Sequence, residues 1–240
     1  MKEQIYTIPV NDGFNEGGEC PFCNMYNKLE KENLDYMLGS SYMDDNIRME
    51  TDKIGFCKNH YSMMYNKQNR LGLALMLQSH IQKINSDIEN LSNSLNCHKK
   101  KGLFSKTPEN KVTPYINNIS ESCYICNKIK TSMDRYFDTF FYMWKKDNEL
   151  KEKVKNSKGF CINHFATLVD MANKKLNNAE YKDFINIITP LELENIKRLE
   201  SEINHFINKF DHNYKDAPWG TAKDALPRGI EKISSQKLEE

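Results

Sequence analysis

A cysteine and histidine pattern that occurs twice constrains this chain more than any other feature of its sequence. Each copy has a Cys-x-x-Cys pair, followed after a nearly equal gap by Gly-Phe-Cys-x-Asn-His. The first copy contains Cys20, Cys23, Cys57 and His60, and the second contains Cys123, Cys126, Cys161 and His164. Three thiols and one imidazole are the ligand set of a tetrahedral Cys₃His zinc site. The pattern therefore predicts two zinc ions per chain, one bound by each copy.

The spacing of the ligands explains how one copy is expected to bind one ion. Two residues between a pair of ligands allow a single turn to present both side chains to the same metal. The chain between the two pairs is long enough for a helical hairpin that returns to its starting point. Four protein ligands fill the coordination sphere, whereas a catalytic zinc keeps one position for water. The ligand count therefore favours zinc with a structural role.

Two other uses of these cysteines stay open at this point. If His60 and His164 point elsewhere, the three thiols of a copy form a disulfide with one free thiolate, or bind a softer metal such as Cu(I). A thioredoxin-like redox role requires Cys-x-x-Cys near a βαβ pattern, and the sequence shows no such pattern. The seventh cysteine, Cys97, lies next to His98 and is interpreted as a lone thiol at a helix end.

Apolar residues recur with helical spacing in both copies. After the second Cys-x-x-Cys pair, the sequence places apolar side chains at steps of three or four, at Ile129, Met133, Phe137, Phe140 and Trp144. The Gly-Phe-Cys motif is expected to open another helix in each copy, because its Cys and His then lie on one side of a turn. No segment stands out as a β-strand. We expect an all-α fold of two duplicated helical units, each stapled by one Cys₃His zinc site.

Each copy ends in a long helix with a heptad-patterned apolar seam. The seam of the first copy comprises Leu77, Ile81, Ile84, Ile88, Leu91 and Leu95, and that of the second comprises Ile196, Leu199, Ile203, Phe206 and Phe210. We expect both seams to lie in the core, against each other or against the shorter helices. Pro190 predicts that the second arm is divided into two helices at Thr189.

These patterns divide the chain into four segments. The two zinc-stapled helical repeats occupy residues 1–98 and 121–210, a linker occupies 99–120, and an irregular C-terminal tail occupies 211–240. The division depends on the repeated motifs and on the loss of helical periodicity between and after them.

The linker and the tail carry further turn signals. The linker has a lysine run, and its proline residues include Pro114, which indicates irregular structure. In the tail, Thr221–Leu226 is predicted to form one short helix before Pro227. Trp219 stands in an otherwise polar stretch, so we expect it to dock on another part of the protein.

Composition excludes several classes of protein. The 240 residues are 39% apolar and 28% charged, which is typical of a globular protein. A net charge of +1 provides no overall field for nucleic acid or an anionic membrane. The first residues lack the pattern of a secretory signal, and the longest apolar stretch, around Leu71–Leu77, is too short to span a membrane. We expect a cytoplasmic protein whose partner is a protein or a small molecule.

A polar segment in the first copy has no counterpart in the second. Residues Ser41–Arg48 include the pair Asp44 and Asp45, and His80 lies beside the apolar seam further along the chain. Divergence between two copies is one way in which a duplicated scaffold acquires a ligand pocket. An aspartate pair with an arginine is more often a solvated turn with a salt bridge.

Several longer motifs resemble those of an uncharacterised bacterial family. They are Cys-Pro-Phe-Cys, Ser-Tyr-Met-Asp-Asp-Asn-Ile-Arg, Gly-Phe-Cys-Lys-Asn-His-Tyr, Gly-Leu-Ala-Leu-Met-Leu and Lys-Asp-Ala-Pro-Trp-Gly, followed by Ala-Leu-Pro-Arg. The resemblance extends over nearly the whole chain. Members of that family are sometimes labelled automatically as substrate-binding proteins of ABC transporters, and the resemblance implies no established activity, fold or ligand.

Three hypotheses for function follow, in order of preference. The first is a non-enzymatic binding or adaptor module that zinc holds together. The second is a thiol-based protein that senses or delivers a metal, or senses redox state, through the same cysteines. The third is an enzyme or small-molecule binder that uses the diverged polar segment of the first copy. No catalytic residue is assigned.

Overall fold

The computed structural model describes residues 5–92, 94–95, 110–214 and 216–238. These residues form eleven α-helices and two 3₁₀ turns, and no β-strand occurs among them. The helices are α1 (Thr7–Asn15), α2 (Pro21–Leu38), α3 (Asp45–Ile54), α4 (Lys58–Asn66), α5 (Arg70–Ser92), α6 (Val112–Glu121), α7 (Tyr124–Lys146), α8 (Asn148–Lys155), α9 (Ile162–Lys175), α10 (Asn178–Asn208) and α11 (Ala225–Ser234). The 3₁₀ turns are Ser41–Met43 and Gly220–Ala222. The all-α fold is confirmed, and none of the described helices is long and apolar enough to cross a membrane.

The helices are grouped in two compact units. The central unit consists of Glu30–Thr131, and the terminal unit consists of Met1–Leu29 and Ser132–Glu240. Helices α2 and α7 each contribute residues to both units. Each unit therefore combines parts of both repeats, and the division into repeats at 1–98 and 121–210 stays an interpretation of the sequence.

Aromatic side chains fill the core of the terminal unit. The helical pattern predicted for α7 is confirmed, since Phe137, Phe140 and Trp144 are all buried. Phe22, near the start of α2, stacks on Phe137 with the ring centroids 4.5 Å apart. Phe184 of α10 meets Trp144 edge to face at 4.9 Å. Because each ring buries a large apolar area, these contacts hold α7 and α10 against the start of α2.

The core of the central unit relies on methionine. Met37 of α2, Met64 of α4 and Met76 of α5 are buried, and their flexible side chains fill irregular space between helices. A polar contact adds to this core, because Arg48 of α3 donates a hydrogen bond to the Ser79 hydroxyl of α5 at 2.7 Å. Helix α3 is thereby attached to the first half of α5.

The apolar seams of the long helices are only partly in the core, which corrects the sequence prediction. On α5, Leu77 and Ile81 are 39% and 55% exposed, and the buried face runs through Met76 and His80 instead. The position of α3 against the first half of α5 decides which face of α5 is covered, rather than the heptad spacing. The seam of α10 is also incomplete, since Phe210 at its end is 77% exposed.

Pro190 does not divide the second arm, and the predicted break at Thr189 is wrong. Helix α10 is continuous through Pro190 over 31 residues. A proline inside a helix removes one hydrogen bond and costs about 3 kcal/mol. The same face of α10 is buried on both sides of the proline, at Phe184, Ile188 and Leu199, so burial of apolar area offsets that cost.

Two other prolines lie in the first turn of a helix rather than outside helices. Pro114 belongs to α6, inside the predicted linker, and Pro227 belongs to α11, where a shorter helix at Thr221–Leu226 was expected to end. Proline is tolerated there because its missing N–H has no partner in the first turn. Trp219 docks as expected, with its ring 5.7 Å from that of Phe206 on α10. The tail therefore has more regular structure than its sequence indicates.

Candidate metal centres

The eight predicted ligands lie in two groups of four. The terminal cluster contains Cys20, Cys23, Cys161 and His164, and the central cluster contains Cys57, His60, Cys123 and Cys126. Within each cluster, the sulfur and nitrogen atoms all lie within 4.8 Å of one another, and all four residues belong to one unit. The six cysteines are free thiols, whereas Cys97 lies outside the described residues. The prediction of two Cys₃His clusters is confirmed.

The motifs pair across the two copies, which corrects the predicted pairing within a copy. Each cluster combines the Cys-x-x-Cys of one copy with the Cys-x-x-His of the other. The helices between the two motifs of a copy are unequal in length. Helix α2 has 18 residues and is about 27 Å long, whereas α3 has 10 residues and is about 15 Å long. In the second copy, the 23 residues of α7 are followed by only 8 in α8.

The distances within both clusters fit tetrahedral coordination of one ion. Zinc–sulfur bonds of about 2.3 Å place two sulfur ligands of a tetrahedron about 3.8 Å apart. Cys57 Sγ and Cys126 Sγ are 3.9 Å apart, and Cys23 Sγ and Cys161 Sγ are 3.5 Å apart. The histidine Nδ1 atoms lie 3.1–3.5 Å from the sulfur atoms around them. Each donor set therefore has the spacing and the chemistry of a metal site.

The protein encloses the terminal cluster. Cys20, Cys23 and Cys161 are buried. The hydroxyl of Ser235, which follows α11, lies 3.0 Å from Cys161 Sγ, and its carbonyl oxygen lies 4.0 Å from Cys23 Sγ. Asn163 donates a hydrogen bond to the same hydroxyl at 2.9 Å. The C-terminal tail therefore covers the sulfur atoms of this cluster.

Aromatic rings surround the histidine of the terminal cluster. The His164 ring centroid lies 5.7 Å from that of Phe22 and 6.0 Å from that of Phe137. Phe160, which precedes the ligand Cys161, is buried and lies 5.9 Å from Phe22. An apolar shell of this kind controls the access of solvent to a metal site and the local dielectric.

The central cluster is more open, and its histidine has a different partner. Cys57 and Cys126 are half-buried, whereas Cys123 and His60 are buried. His60 turns Nδ1 toward the sulfur atoms, and its Nε2 lies 3.2 Å from Glu30 Oε1. A carboxylate that accepts the N–H of a metal-binding imidazole fixes the tautomer and the orientation of the ring. Glu30 is therefore placed to hold His60 in position as a ligand.

A glycine with positive φ precedes Phe-Cys in both ligand loops. Gly55 has φ 66° and Gly159 has φ 76°, a region that residues with a Cβ rarely adopt. A Cβ on Gly55 would overlap His80 Nε2, and a Cβ on Gly159 would overlap Glu192 Oε2. His80 on α5 and Glu192 on α10 therefore occupy equivalent places behind the two loops, and both need glycine there.

Glu192 and Lys232 form a buried ion pair behind the loop of the terminal cluster. Glu192 Oε1 lies 3.1 Å from Lys232 Nζ, and both side chains are almost fully buried. The backbone N–H of Phe160 donates to Glu192 Oε2 at 2.8 Å, and Lys232 donates to the carbonyl oxygen of Lys158 at 2.8 Å. Burial raises the pKa of Glu192, although Phe160 and Lys232 favour its ionised form. The pair connects α10 and α11 to the ligand loop.

A second ion-pair network is centred on Glu19, the residue before Cys20. Glu19 is fully buried, with Arg198 Nη2 at 2.5 Å from Oε2 and Arg228 Nη1 at 3.2 Å from Oε1. Arg228 also lies 2.5 Å from Glu202. Hydrogen bonds between charged groups are stronger than neutral ones. The network therefore attaches α10 and α11 to the loop that carries Cys20.

Burial and neighbouring groups shift the pKa values of several cluster residues. Burial raises the pKa of Cys20 to about 12. At Cys123, burial opposes ionisation, but hydrogen bonds, above all that with His60, lower the pKa to about 6. Burial would lower the pKa of His60, but its hydrogen bonds to Cys123 and Glu30 raise it to about 10. A divalent cation held by these residues would displace protons from them, so metal binding would release protons.

The polar segment of the first copy has a structural role. Asp44 caps α3 and accepts a hydrogen bond from the N–H of Asn46 at 2.8 Å. Arg48 donates a hydrogen bond to the Ser79 hydroxyl on α5. The buried His80 donates from Nδ1 to the carbonyl oxygen of Asp52 at 2.7 Å. These side chains therefore stabilise α3 and its contact with α5.

Two clefts in the terminal unit contain none of the predicted site residues. The larger, of about 640 Å³, lies beside the Glu19 network and is lined by Lys158, Arg198 and Arg228 among others. The smaller, of about 350 Å³, lies between Phe14 and part of α8. In the larger cleft, both arginines are paired with carboxylates. The two arginines of this cleft are therefore engaged in holding the fold.

Several residues that support the clusters were not found from the sequence. They are Glu19, Glu30, Glu192, Lys232 and Ser235. Charged and small polar residues are frequent on helices, and the partners of these five come from distant segments of the chain. One signal existed at Glu192, because an acidic residue lies on the same helical face as the apolar side chains before and after it.

The comparisons with known proteins identify a family but no activity. No curated protein and no solved structure matches the chain. The model of a family of unknown function, DUF6062, matches residues 1–240. The whole chain, including both clusters, therefore lies within one family whose function is not established, and this protein belongs to that family.

Proposed function

We propose that this protein binds two structural zinc ions and acts as a non-enzymatic binding or adaptor module. One observation carries the proposal: in each unit, three thiols and one imidazole converge at tetrahedral spacing. Zinc prefers these donors and this geometry. Because each site joins motifs far apart in the chain, the metal acts as a cross-link within its unit.

The number of ligands supports a structural role over a catalytic one. A catalytic zinc needs an open position for water, and four protein donors leave none. In the central cluster, the second nitrogen of His60 is also engaged with Glu30, so the histidine is held as a ligand. The polar segment named as an alternative site contributes to the stability of α3 through Asp44 and Arg48.

Metal analysis tests the proposal directly. Protein purified without added metal should contain two zinc ions per chain by native mass spectrometry. Removal of zinc with a chelator at neutral pH should reduce helicity, because the metal contributes on the order of 10 kcal/mol per structural site. A chain that is fully helical without metal would contradict the structural role, and bound copper would contradict the choice of zinc.

A thiol-based function is the second candidate, and the exposure of the central cluster favours it. Cys57 and Cys126 are half-buried, so two of the ligand residues of this cluster lie partly at the surface. Thiol titration separates the two candidates, since sulfurs that zinc protects react slowly until a chelator is added. A reducing cytoplasmic location suits both candidates. The partner that we propose for the module is a protein or a small molecule.

A further inference from the structure

The two clusters differ in how far their cysteine residues are buried. In the terminal cluster, the sulfur atoms of Cys161 and Cys23 lie under Ser235. In the central cluster, Cys57 and Cys126 are both half-buried and adjacent. We propose that the central cluster is a peroxide-sensitive site, in which these two cysteines form a disulfide and release the metal. The inference rests on the proposed zinc binding.

The geometry favours this pair of cysteines over others in the cluster. The two sulfur atoms are 3.9 Å apart, so closure to a disulfide bond of about 2.05 Å needs a small approach. Cys57 lies in extended backbone before α4, outside the rigid helix. Cys123 is buried, and its sulfur accepts a hydrogen bond from the backbone N–H of Cys126 at 3.5 Å. Cys57 and Cys126 are therefore the two half-buried cysteines of the cluster, and Cys57 also lies outside a helix, whereas Cys126 lies in the first turn of α7.

The chemistry balances with hydrogen peroxide as the oxidant. One thiolate attacks a peroxide oxygen, so that an S–O bond forms, the O–O bond breaks and the departing hydroxide takes up a proton to become water. The second thiolate then attacks the sulfenic sulfur, so that the S–S bond forms, the S–O bond breaks and a second hydroxide takes up a proton. Two thiolates lose two electrons, and peroxide is reduced to two waters.

Oxidation removes the metal but keeps the connection that it made. Only Cys123 and His60 remain as ligands, and two donors do not complete a structural zinc site, so Zn²⁺ leaves. The disulfide still joins the start of α4 to the start of α7, the two segments that the ion joined. The central unit therefore changes from a metal-bound to a disulfide-bound form, while the terminal cluster keeps its ion.

The test uses the full chain with its zinc counted first by native mass spectrometry. Hydrogen peroxide is then added, and released zinc is followed with a chromogenic chelator while peptide mapping locates disulfides. One ion should be released about tenfold faster than the other, with a Cys57–Cys126 disulfide in the product. Dithiothreitol with added zinc should restore the original mass and metal content.

Variants and outcomes keep the inference separate from the proposed function. Cys126→Ser removes a zinc ligand together with the partner thiol, so it should carry only the ion of the terminal cluster and show no fast release. Disulfide mapping of the unmodified chain decides which cysteines pair first. Equal release of both ions, or a first disulfide between any other two cysteines, would overturn the inference while two bound zinc ions still support the function. A chain without zinc would contradict both the function and the metal release that rests on it.

Discussion

The terminal and central clusters each contain three cysteines and one histidine, as one Cys-x-x-Cys pair and one Cys-x-x-His pair. The residues that surround the two clusters differ. The terminal cluster lies under Ser235 and against the rings of Phe22 and Phe137. In the central cluster, the residues Cys57 and Cys126 are half-buried, and His60 pairs with Glu30. The repeated motifs therefore specify the donor atoms, whereas segments outside the motifs determine how far solvent reaches them.

The same contrast continues behind the ligand loops. His80 occupies in the central unit the place that Glu192 occupies in the terminal unit. The imidazole of His80 donates a hydrogen bond to the Asp52 carbonyl oxygen, whereas the carboxylate of Glu192 pairs with the buried ammonium of Lys232. Helix α11 supplies that lysine and ends at the residue before Ser235. Helix α11 thus supplies the ion-pair partner of Glu192, and the residue that follows the helix covers the terminal cluster.

The largest expected effect comes from ligand substitutions that break the pairing across copies. Replacing Cys20 and Cys161 together by serine should remove one zinc ion, because both belong to the terminal cluster. Replacing Cys20 and Cys57 together should remove both ions, since these residues belong to different clusters. Each lost ion removes on the order of 10 kcal/mol of metal-binding free energy from the stability of the folded chain. Circular dichroism should therefore show a loss of helicity that increases with the number of ions lost.

The two double substitutions give opposite results under the alternative pairing. If each copy bound its own ion, serine at Cys20 and Cys161 would damage both sites, and serine at Cys20 and Cys57 would damage one. Native mass spectrometry of the two variants decides between the pairings by the number of ions retained. Cys97→Ser is the matched control and should keep both ions.

The next effect concerns the buried ion pair, which has no equivalent behind the central loop. Lys232→Met leaves the Glu192 carboxylate buried without its partner, and should lower the free energy of unfolding by about 3–5 kcal/mol. Lys155→Met, on a half-exposed lysine paired with the exposed Glu152, is the control and should cost less than about 1 kcal/mol. Adding Glu192→Gln to Lys232→Met should recover part of the loss. Urea denaturation measures all three, and equal losses for the two lysine variants would contradict the buried role.

A smaller effect is expected at Gly159, the glycine that precedes Phe-Cys in the ligand loop of the terminal cluster. Gly159→Ala combines a positive φ with an overlap against Glu192, whereas Gly17→Ala has a similar φ and open space around it. The backbone conformation alone costs about 1–2 kcal/mol, so Gly17→Ala isolates that part. Gly159→Ala should cost about 1–3 kcal/mol more because of overpacking. Equal stabilities of the two variants in urea would show that the close approach has no energetic consequence.

The donor atoms and most helices could be predicted from the sequence because their signals are local. Cys20 and Cys23 have only two residues between them, and the apolar spacing from Ile129 to Trp144 marks one face of α7. The pairing of the clusters was not local, since each cluster joins motifs from different copies. Both copies carry the same two motifs, so the motifs alone do not indicate which pair shares an ion.

Pro190 and the Glu192–Lys232 ion pair both show why local sequence patterns predict only part of the fold. Pro190 indicates a helix end by local rules, but burial on both sides of it keeps α10 continuous. Glu192 is a polar residue on that buried face, and only Lys232, forty residues later on α11, explains it. A sequence pattern reports what each segment prefers alone, and it does not report which distant segment completes it.

The smallest effect concerns Glu30, the carboxylate that lies beside the histidine of the central cluster. Glu30→Gln keeps the size of the side chain but weakens the acceptor for the Nε2 proton of His60, and should lower the zinc affinity of the central cluster by about 10- to 100-fold. Competition with a chelator, followed by native mass spectrometry, should show the central ion lost first. Glu32→Gln, at an exposed position on the same helix, is the matched control and should leave both ions in place. The terminal cluster serves as an internal reference, because its histidine lies against aromatic rings instead of a carboxylate. Loss of both ions at the same chelator concentration, or no change in either, would show that Glu30 does not position His60 for metal.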